Sequence, residues 1–195
     1  MAAGFMLVGP IMAVGLYEIS RRLARDEHVT LISALFVRTR SPGQIAFTGV
    51  LLMVLVLMWM RVAMINYALF FGLRPFPGLA ESMRQLFLTG DGLAMLAVGT
   101  VVGGLFAVLA FAISAFSIPM MVVRDVDAIT AMVRSVQVMR RNPRAMFLWG
   151  MKIAILTGIG MITGFLGMIV VFPLLGHATW HAYQSVLGHA FPSEA

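Results

Sequence analysis

Two histidines near the end of the chain have a spacing that could hold a metal ion. His177 and His181 are four residues apart in the segment GHATWHAY, so on a helix both imidazoles project from one face. Such a pair can share a metal, and a single histidine can ligate haem. No carboxylate or cysteine nearby completes the ligand set. The sequence therefore favours the end of a membrane helix, with Trp180 and Tyr183 as interfacial aromatic residues.

Charged residues inside apolar stretches are a second kind of candidate, because charge within a membrane is costly and often functional. Arg61 and Lys152 are each placed near enough to a predicted helix end for the side chain to reach the headgroups. Glu18 precedes Arg21 and Arg22 at a spacing that permits local ion pairs. It is the only acid within a predicted span, which disfavours ion-coupled transport.

The remaining residue types exclude several kinds of chemistry. The chain has no cysteine, and its 17 methionines are scattered through every apolar stretch. Thioethers bind Cu(I), but scattered methionine more often replaces leucine in packing. No catalytic set of a nucleophile and base, paired carboxylates or a phosphate loop can be assembled. We therefore predict no enzymatic activity and no cofactor, while haem and copper remain open.

Two glycine pairs predict places where helices approach closely. Gly99 and Gly103 form one small-residue face, and Gly160 and Gly164 form another. Residues of this size at intervals of four let two membrane helices pack against each other. The sequence favours packing within the chain over dimerisation.

The composition indicates that these residues are positioned by membrane helices. Of the 195 residues, 61% are hydrophobic and only 11% are charged, whereas a soluble domain has about 25% charged residues. The net charge of +6 comes mainly from arginines that flank apolar stretches. This distribution predicts contact with anionic lipid headgroups and no binding of nucleic acid.

We predict an all-α fold, a polytopic transmembrane helical bundle in one membrane-embedded domain over residues 1–195. Ser41-Pro42 and Asn142-Pro143 are helix-start signals. The stretch 145–187 is about twice as long as one span needs, so we divide it at the glycines near 163–167. A single span with a protruding helix is the alternative. The five predicted spans are residues 2–19, 43–70, 92–118, 145–162 and 167–186.

Shorter helices are predicted at the membrane surface. Residues 27–38 and 126–141 read as interfacial amphipathic helices, and residues 79–88 as a short surface helix. In the second interfacial helix the apolar residues recur at helical spacing. They are Ile129, Met132, Val133 and Val136. Asp125 or Asp127 could cap this helix.

A weak internal repeat relates the two interfacial segments. Residues 26–50 match residues 127–151 at an offset of 101. Both copies have an interfacial helix, an arginine and a helix-start proline before a span, which predicts repeat halves at about 3–70 and 92–187 in the same orientation. The identical positions are Asp26/Asp127, Val37/Val138, Arg40/Arg141, Pro42/Pro143 and Gly49/Gly150.

Basic residues predict the orientation. Ten arginines occupy the segments 20–42 and 124–144, and the opposite side has only Arg74 and Arg84. Because basic loops stay in the cytoplasm, we expect both arginine-rich segments to be cytoplasmic, in a bacterial inner membrane. The ten are Arg21, Arg22, Arg25, Arg38, Arg40, Arg124, Arg134, Arg140, Arg141 and Arg144.

Three segments resemble one family of predicted bacterial integral membrane proteins, classed as a domain of unknown function. They are GPIMAVGLYEISRR, SIPMMVVRDVDAITAMVRSV and the ending VVFPLLGHATWHAYQS. The resemblance implies six spans with both ends in the cytoplasm, and it implies no activity. The resemblance also implies an additional N-terminal span before the part that this sequence matches. Because the chain also opens within an apolar stretch, we expect Met1 to be an internal residue of a longer protein.

These patterns favour an accessory or assembly component of a membrane protein complex, with other membrane proteins as partners. The alternative is a channel or carrier for a small solute, with a pathway between the repeats. A haem- or metal-binding membrane protein is the third reading.

Overall fold

The computed structural model describes residues 14–17, 19–20, 40–72 and 77–188, and within these residues regular structure is entirely helical. The predicted all-α, polytopic membrane fold is confirmed. Residues 14–17 and 19–20 are helical as well, and a π-helical turn, Gln184–Gly188, follows the last helix. The helices are α1 (Pro42–Phe71), α2 (Leu79–Leu88), α3 (Gly90–Ser114), α4 (Ser117–Val123), α5 (Ala128–Arg141), α6 (Pro143–Ile162) and α7 (Met168–Tyr183).

Three of the described segments are long and apolar enough to cross a membrane. They are Pro42–Phe71, Gly90–Val123 and Pro143–Ile162. The predicted division near 163–167 is confirmed, because a turn separates α6 from α7. Helix α7 has 16 residues, fewer than the ~20 that a span needs. The first predicted span, residues 2–19, lies mostly outside the described residues.

Helix starts follow the proline and aspartate signals. Pro42 begins α1 and Pro143 begins α6, where a missing backbone N–H costs nothing and the fixed φ suits a helix. Asp127 caps α5 by accepting a hydrogen bond from the Thr130 backbone N–H at 2.8 Å. This settles the choice between Asp125 and Asp127, since the Asp125 carboxylate lies beside Ser41 instead.

The third predicted span differs from the structure in where it is interrupted. We expected one helix that stops near Pro119, but α3 ends at Ser114 and α4 contains Pro119 in its first turn. Proline is tolerated there because first-turn N–H groups have no helical partner. The break at residues 115–116 therefore precedes the proline.

Contacts divide the chain into two compact units. One unit comprises Met1–Val50 and Phe111–Ala195, and the other comprises Leu51–Ala110. In the second unit, α1 and α3 pack through Asn66, which donates a hydrogen bond from Nδ2 to the Met95 carbonyl at 3.1 Å. In the first unit α4 forms the core, with six of its seven residues buried.

Helix α5 packs through its small residues and presents its large apolar residues outward. Ala128, Ala131, Ser135 and Val138 are buried, whereas Ile129 and Val133 are exposed. The predicted amphipathic helix is confirmed, and its exposed apolar face suits a helix lying in the membrane interface. The other predicted interfacial helix, residues 27–38, lies outside the described residues, as does most of the first repeat copy, so the repeat stays a prediction.

Candidate functional site around helix α4

The interruption between α3 and α4 is closed by a side chain from α5. The Phe116 backbone N–H donates to Ser135 Oγ at 3.2 Å, and both residues are almost fully buried. A break in a helix frees backbone groups that lipid cannot satisfy. Ser135 therefore makes the interruption tolerable within an apolar core.

Ser41, just before α1, ties that helix to the segment between α4 and α5. Its Oγ lies 3.1 Å from the Arg124 carbonyl oxygen and 3.2 Å from Asp125 Oδ1, and the hydroxyl can donate to either of them. The same Oγ accepts a hydrogen bond from the Val126 N–H at 3.3 Å. One turn later, Gln44 Oε1 accepts from the Ala128 N–H at 3.0 Å. The predicted capping serine thus makes its side-chain contacts with the α4–α5 segment.

Thr48 continues this polar contact into the core. It is the one buried residue of α1. Its hydroxyl donates to the Gln44 carbonyl at 2.9 Å and lies 3.9 Å from the Met121 sulfur. Ser117 likewise donates to the Ile113 carbonyl at 2.6 Å. The Thr48 bond lies within α1, whereas the Ser117 bond crosses the interruption from α4 back to α3. Both use a carbonyl four residues earlier, which is the usual solution for serine and threonine in membrane helices.

Aromatic side chains join α7 to the described helical residues near the chain's start. The Tyr17 and Trp180 rings are stacked with centroids 6.4 Å apart, and the Trp180 and Tyr183 rings are 5.6 Å apart. A Cβ on Gly176 would lie 2.7 Å from the Leu16 side chain, so any larger residue would require Leu16 to shift. Trp180 and Tyr183 were expected at a membrane interface, but both are buried in the protein.

The two histidines have different surroundings. The His177 ring, half-buried, is hydrogen-bonded through Nδ1 to the Ser20 hydroxyl, whereas His181 is exposed. Within the described part of the chain, no group of three or more His, Cys, Asp or Glu residues could hold a metal ion. The contact that the structure gives His177 is thus one between α7 and the start of the chain.

The intramembrane charges lie on exposed surface. Arg61 on α1 and Lys152 on α6 are both exposed, as side chains that extend to a membrane interface would be. Glu18 lies outside the described residues.

The first glycine pair faces α1 of the same chain. A Cβ on Gly99 would lie 3.0 Å from Asn66 Nδ2, and one on Gly103 would lie 3.4 Å from Trp59 Nε1. Gly99 therefore leaves room for the Asn66 amide that bonds to α3. The neighbouring Gly104 has no atom within 4 Å of the position of a Cβ, so it faces outward.

The two glycines of the second pair, Gly160 and Gly164, have different roles. Gly160 is buried, and a Cβ there would lie 2.7 Å from the Met168 sulfur, so it allows α6 and α7 to approach. Gly164 lies beyond the end of α6, has φ +66°, and has no atom within 4 Å of the position of a Cβ. A backbone with positive φ favours glycine, so Gly164 serves the turn rather than the helix packing that we expected.

Together these contacts give a polar junction, which we define as Ser41, Gln44, Thr48, Ser117 and Ser135. Its hydroxyls and amide are hydrogen-bonded within the protein. The arrangement can fix the positions of α1, α4 and α5 in an apolar medium. Sequence reasoning identified Ser41 only as a helix start and overlooked the others. A serine or threonine within an apolar helix is the signal that could have indicated them.

Comparison with known proteins identifies the family. Residues 1–122 match the family model described as "Predicted integral membrane protein (DUF2189)", so the chain belongs to this family of integral membrane proteins of unknown function. The predicted family resemblance is confirmed, although the chain's distinctive ending lies beyond the matched residues. No curated protein and no solved structure matches the chain.

Proposed function

We propose that this predicted integral membrane protein acts without catalysis, as an accessory or assembly component of a membrane protein complex. The observation that carries the proposal is that, in the part of the chain that the structure describes, very few residues of the long apolar helices are buried. The 30 residues of α1 include one buried residue, Thr48, and the 25 residues of α3 include one, Gly92. Helix α6 buries only Met146 and Gly160.

Such surface is suited to other helices as well as to lipid. Association of helices in a membrane depends on close packing rather than on the hydrophobic effect, so small residues mark the faces where a partner fits. Gly104 provides such a position on α3, because it is exposed and its side is open. We infer that a membrane helix of another protein packs at this position.

We also propose that the arginine-rich segments face the cytoplasm and contact anionic headgroups of a bacterial inner membrane. Arg140 and Arg141 end α5, and Arg144 follows at the start of α6. All three are exposed. Two of them suit the negative end of the α5 dipole, but Arg144 lies at the positive end of α6, where a cation is disfavoured. A nearby lipid phosphate would offset that repulsion.

Neighbouring glycines allow a matched test of the accessory role. A Cβ added at Gly104 has no atom within 4 Å, whereas one added at Gly103 lies 3.4 Å from Trp59 Nε1, so a leucine is accommodated more easily at 104 than at 103. We expect Gly104→Leu to lower recovery of partner proteins in mild detergent about tenfold, as a lost contact of ~1.4 kcal/mol would, with thermal unfolding unchanged. Gly103→Leu should lower the unfolding temperature. Quantitative mass spectrometry of the co-purified membrane proteins measures the recovery.

A control variant separates loss of the glycine from added bulk. Leu105→Phe enlarges an outward side chain of the same helix that is already 66% exposed, and it should leave the recovery unchanged. Equal recovery with the wild-type chain and Gly104→Leu would contradict packing of a partner at this position.

A carrier for a small solute is the second candidate, and the interrupted helix supports it. Carriers bind substrate where a membrane helix is broken and its backbone groups are free, and α3 and α4 are separated by such a break. Ser135 already bonds to the N–H freed there, which favours the accessory role. Solute flux by the purified chain alone in liposomes would favour the carrier.

A further inference from the structure

Among the described residues of the first unit, the apolar side chains with the highest exposed fractions surround the turn between α6 and α7. Five large apolar side chains surround it, and water would contact all of them if the turn formed a loop outside the membrane. Their exposed fractions are 87% for Ile162, 67% for Phe165, 73% for Leu166, 73% for Ile169 and 69% for Val170. Charged residues, which usually occupy loops between spans, are absent from residues 153–176.

Most backbone N–H groups of this turn are hydrogen-bonded within it, and that of Phe165 is the exception. Gly164 donates to the Met161 carbonyl at 3.0 Å, Leu166 to Thr163 at 3.4 Å and Met168 to Phe165 at 3.1 Å. The Thr163 hydroxyl accepts from the Gly167 N–H at 2.9 Å and donates to the Gly160 carbonyl at 2.9 Å. A loop in water has no need of such pairing, whereas hydrocarbon offers the donors of a turn no other partner.

Polar residues on the two helices lie at the same distance from the turn. Lys152 is ten residues before Ile162, and His177 is nine residues after Met168. At about 1.5 Å per residue, these residues lie ~15 Å and ~14 Å from the turn. The hydrocarbon core is ~30 Å thick. A turn at the far surface would thus place the exposed Lys152 and half-buried His177 near the middle of the bilayer, where charge is most costly.

We propose that α6, the turn and α7 form a re-entrant hairpin, with the turn among the lipid acyl chains near the middle of the bilayer. Lys152 and His177 then lie near the boundary of the leaflet from which the hairpin enters. Trp149, ~20 Å from the turn, then lies among the headgroups, where tryptophan is common, and Arg144, ~27 Å from the turn, lies at their outer surface. Helix α6 is long enough to cross the membrane, but the re-entrant hairpin places its Lys152 near the membrane surface and a full span would place it near the middle. The occupant of the apolar turn surface is the hydrocarbon of the host membrane.

The absence of cysteine from the chain allows a direct test by single-cysteine labelling. Leu166→Cys reports on the turn, and Leu79→Cys, at the start of α2, is the matched control because that leucine is 77% exposed. A membrane-impermeant maleimide is applied to intact cells and to inverted membrane vesicles that contain the full chain. We expect Leu79→Cys to react from one side and Leu166→Cys to react at least about tenfold more slowly from both sides, because water is excluded from the core.

A spin label at the same cysteine measures depth. On Leu166→Cys in vesicles of phosphatidylglycerol and phosphatidylcholine, we expect relaxation by oxygen to exceed that by a polar nickel chelate, with a depth near the bilayer centre. Rapid maleimide reaction from the side opposite to Arg141→Cys would overturn the proposal, and so would a label depth at the far headgroups. The co-purification test of the accessory role does not depend on either result.

Discussion

At the scale of single residues, buried hydroxyls determine how the interrupted helix is accommodated. Ser135 and Thr48 are almost completely buried, and Ser135 accepts the hydrogen bond from the Phe116 N–H. A buried donor without a partner destabilises the fold, because neither lipid nor the apolar core offers it an acceptor. Small polar residues in an apolar sequence therefore have a structural role here.

The first prediction at this scale concerns Ser135→Ala. Removal of the hydroxyl leaves the Phe116 N–H unsatisfied, so we expect the free energy of unfolding to fall by about 1–3 kcal/mol. Unfolding by denaturant in detergent micelles measures the change. Ser185→Ala is the control, because Ser185 is exposed and donates only to Ala182 in its own turn, and it should change stability by less than about 0.5 kcal/mol. Similar losses for both variants would show that the buried bond contributes nothing.

At the scale of elements, α5 shows how one helix serves two environments. Its small residues pack inward and its large apolar residues face outward. The helix follows α4 after four residues and precedes α6 after one. It therefore directly joins two of the segments that are long and apolar enough to cross a membrane, and its own start is fixed by a single cap.

The second prediction concerns the start of α5. Hydrogen bonds from Thr130, and further backbone N–H groups at the helix start, lower the pKa of the Asp127 carboxyl below its usual 3.8. The stabilisation by this cap is therefore fully present above the usual value and is lost as the pH falls through the lowered pKa. Asp127→Ala should speed hydrogen exchange at the first turn of α5 about fivefold at pH 6, as loss of a cap does, and have no effect at a pH below the lowered pKa.

Asp127→Asn provides the control for this titration. The amide oxygen still accepts from the Thr130 N–H but does not ionise, and asparagine caps helices about as well as aspartate. In this variant the exchange rate of the first turn should change with pH only as much as the intrinsic exchange rate of an unprotected amide does. If it changed as it does with Asp127, another group would be responsible.

At the scale of the whole molecule, family membership and three long apolar segments establish an integral membrane protein. The orientation in the membrane is a separate matter, which depends on charge. Arginine is costly to move across a bilayer, so the basic side remains where the chain was made. The proposed contact of Arg144 with headgroups of the inner leaflet depends on that orientation.

The third prediction therefore concerns topology. Reporter fusions after Arg40 and after Arg141 should report the cytoplasm, and a fusion after Pro77 should report the external side, because ten arginines against two favour this orientation. An enzyme active only outside the cytoplasm, paired with a fluorescent protein that matures only inside, reads both outcomes. External readings at both arginine sites would refute the orientation and the headgroup contact that depends on it.

The amino-acid sequence by itself determined the membrane class, the starts of α1 and α6, a capping aspartate for α5 that was either Asp125 or Asp127, and the division at residues 163–167. Each depends on local properties: apolar length, proline at a first helical position, aspartate at a cap, and glycine where φ is positive. The break after Ser114 was placed near Pro119 because the pattern alone does not show that Ser135, 19 residues later, satisfies the Phe116 N–H.

Only the tertiary structure decided which side of each helix is covered. Trp180 reads as an interfacial residue in the sequence but stacks on Tyr17 in the core, and Gly103 and Gly104 look alike although one faces Trp59 and the other faces outward. Lipid and protein interior are equally apolar, so hydrophobicity that separates core from surface in water does not separate them in a membrane. Burial is then set by contacts between distant segments, which composition and spacing do not record.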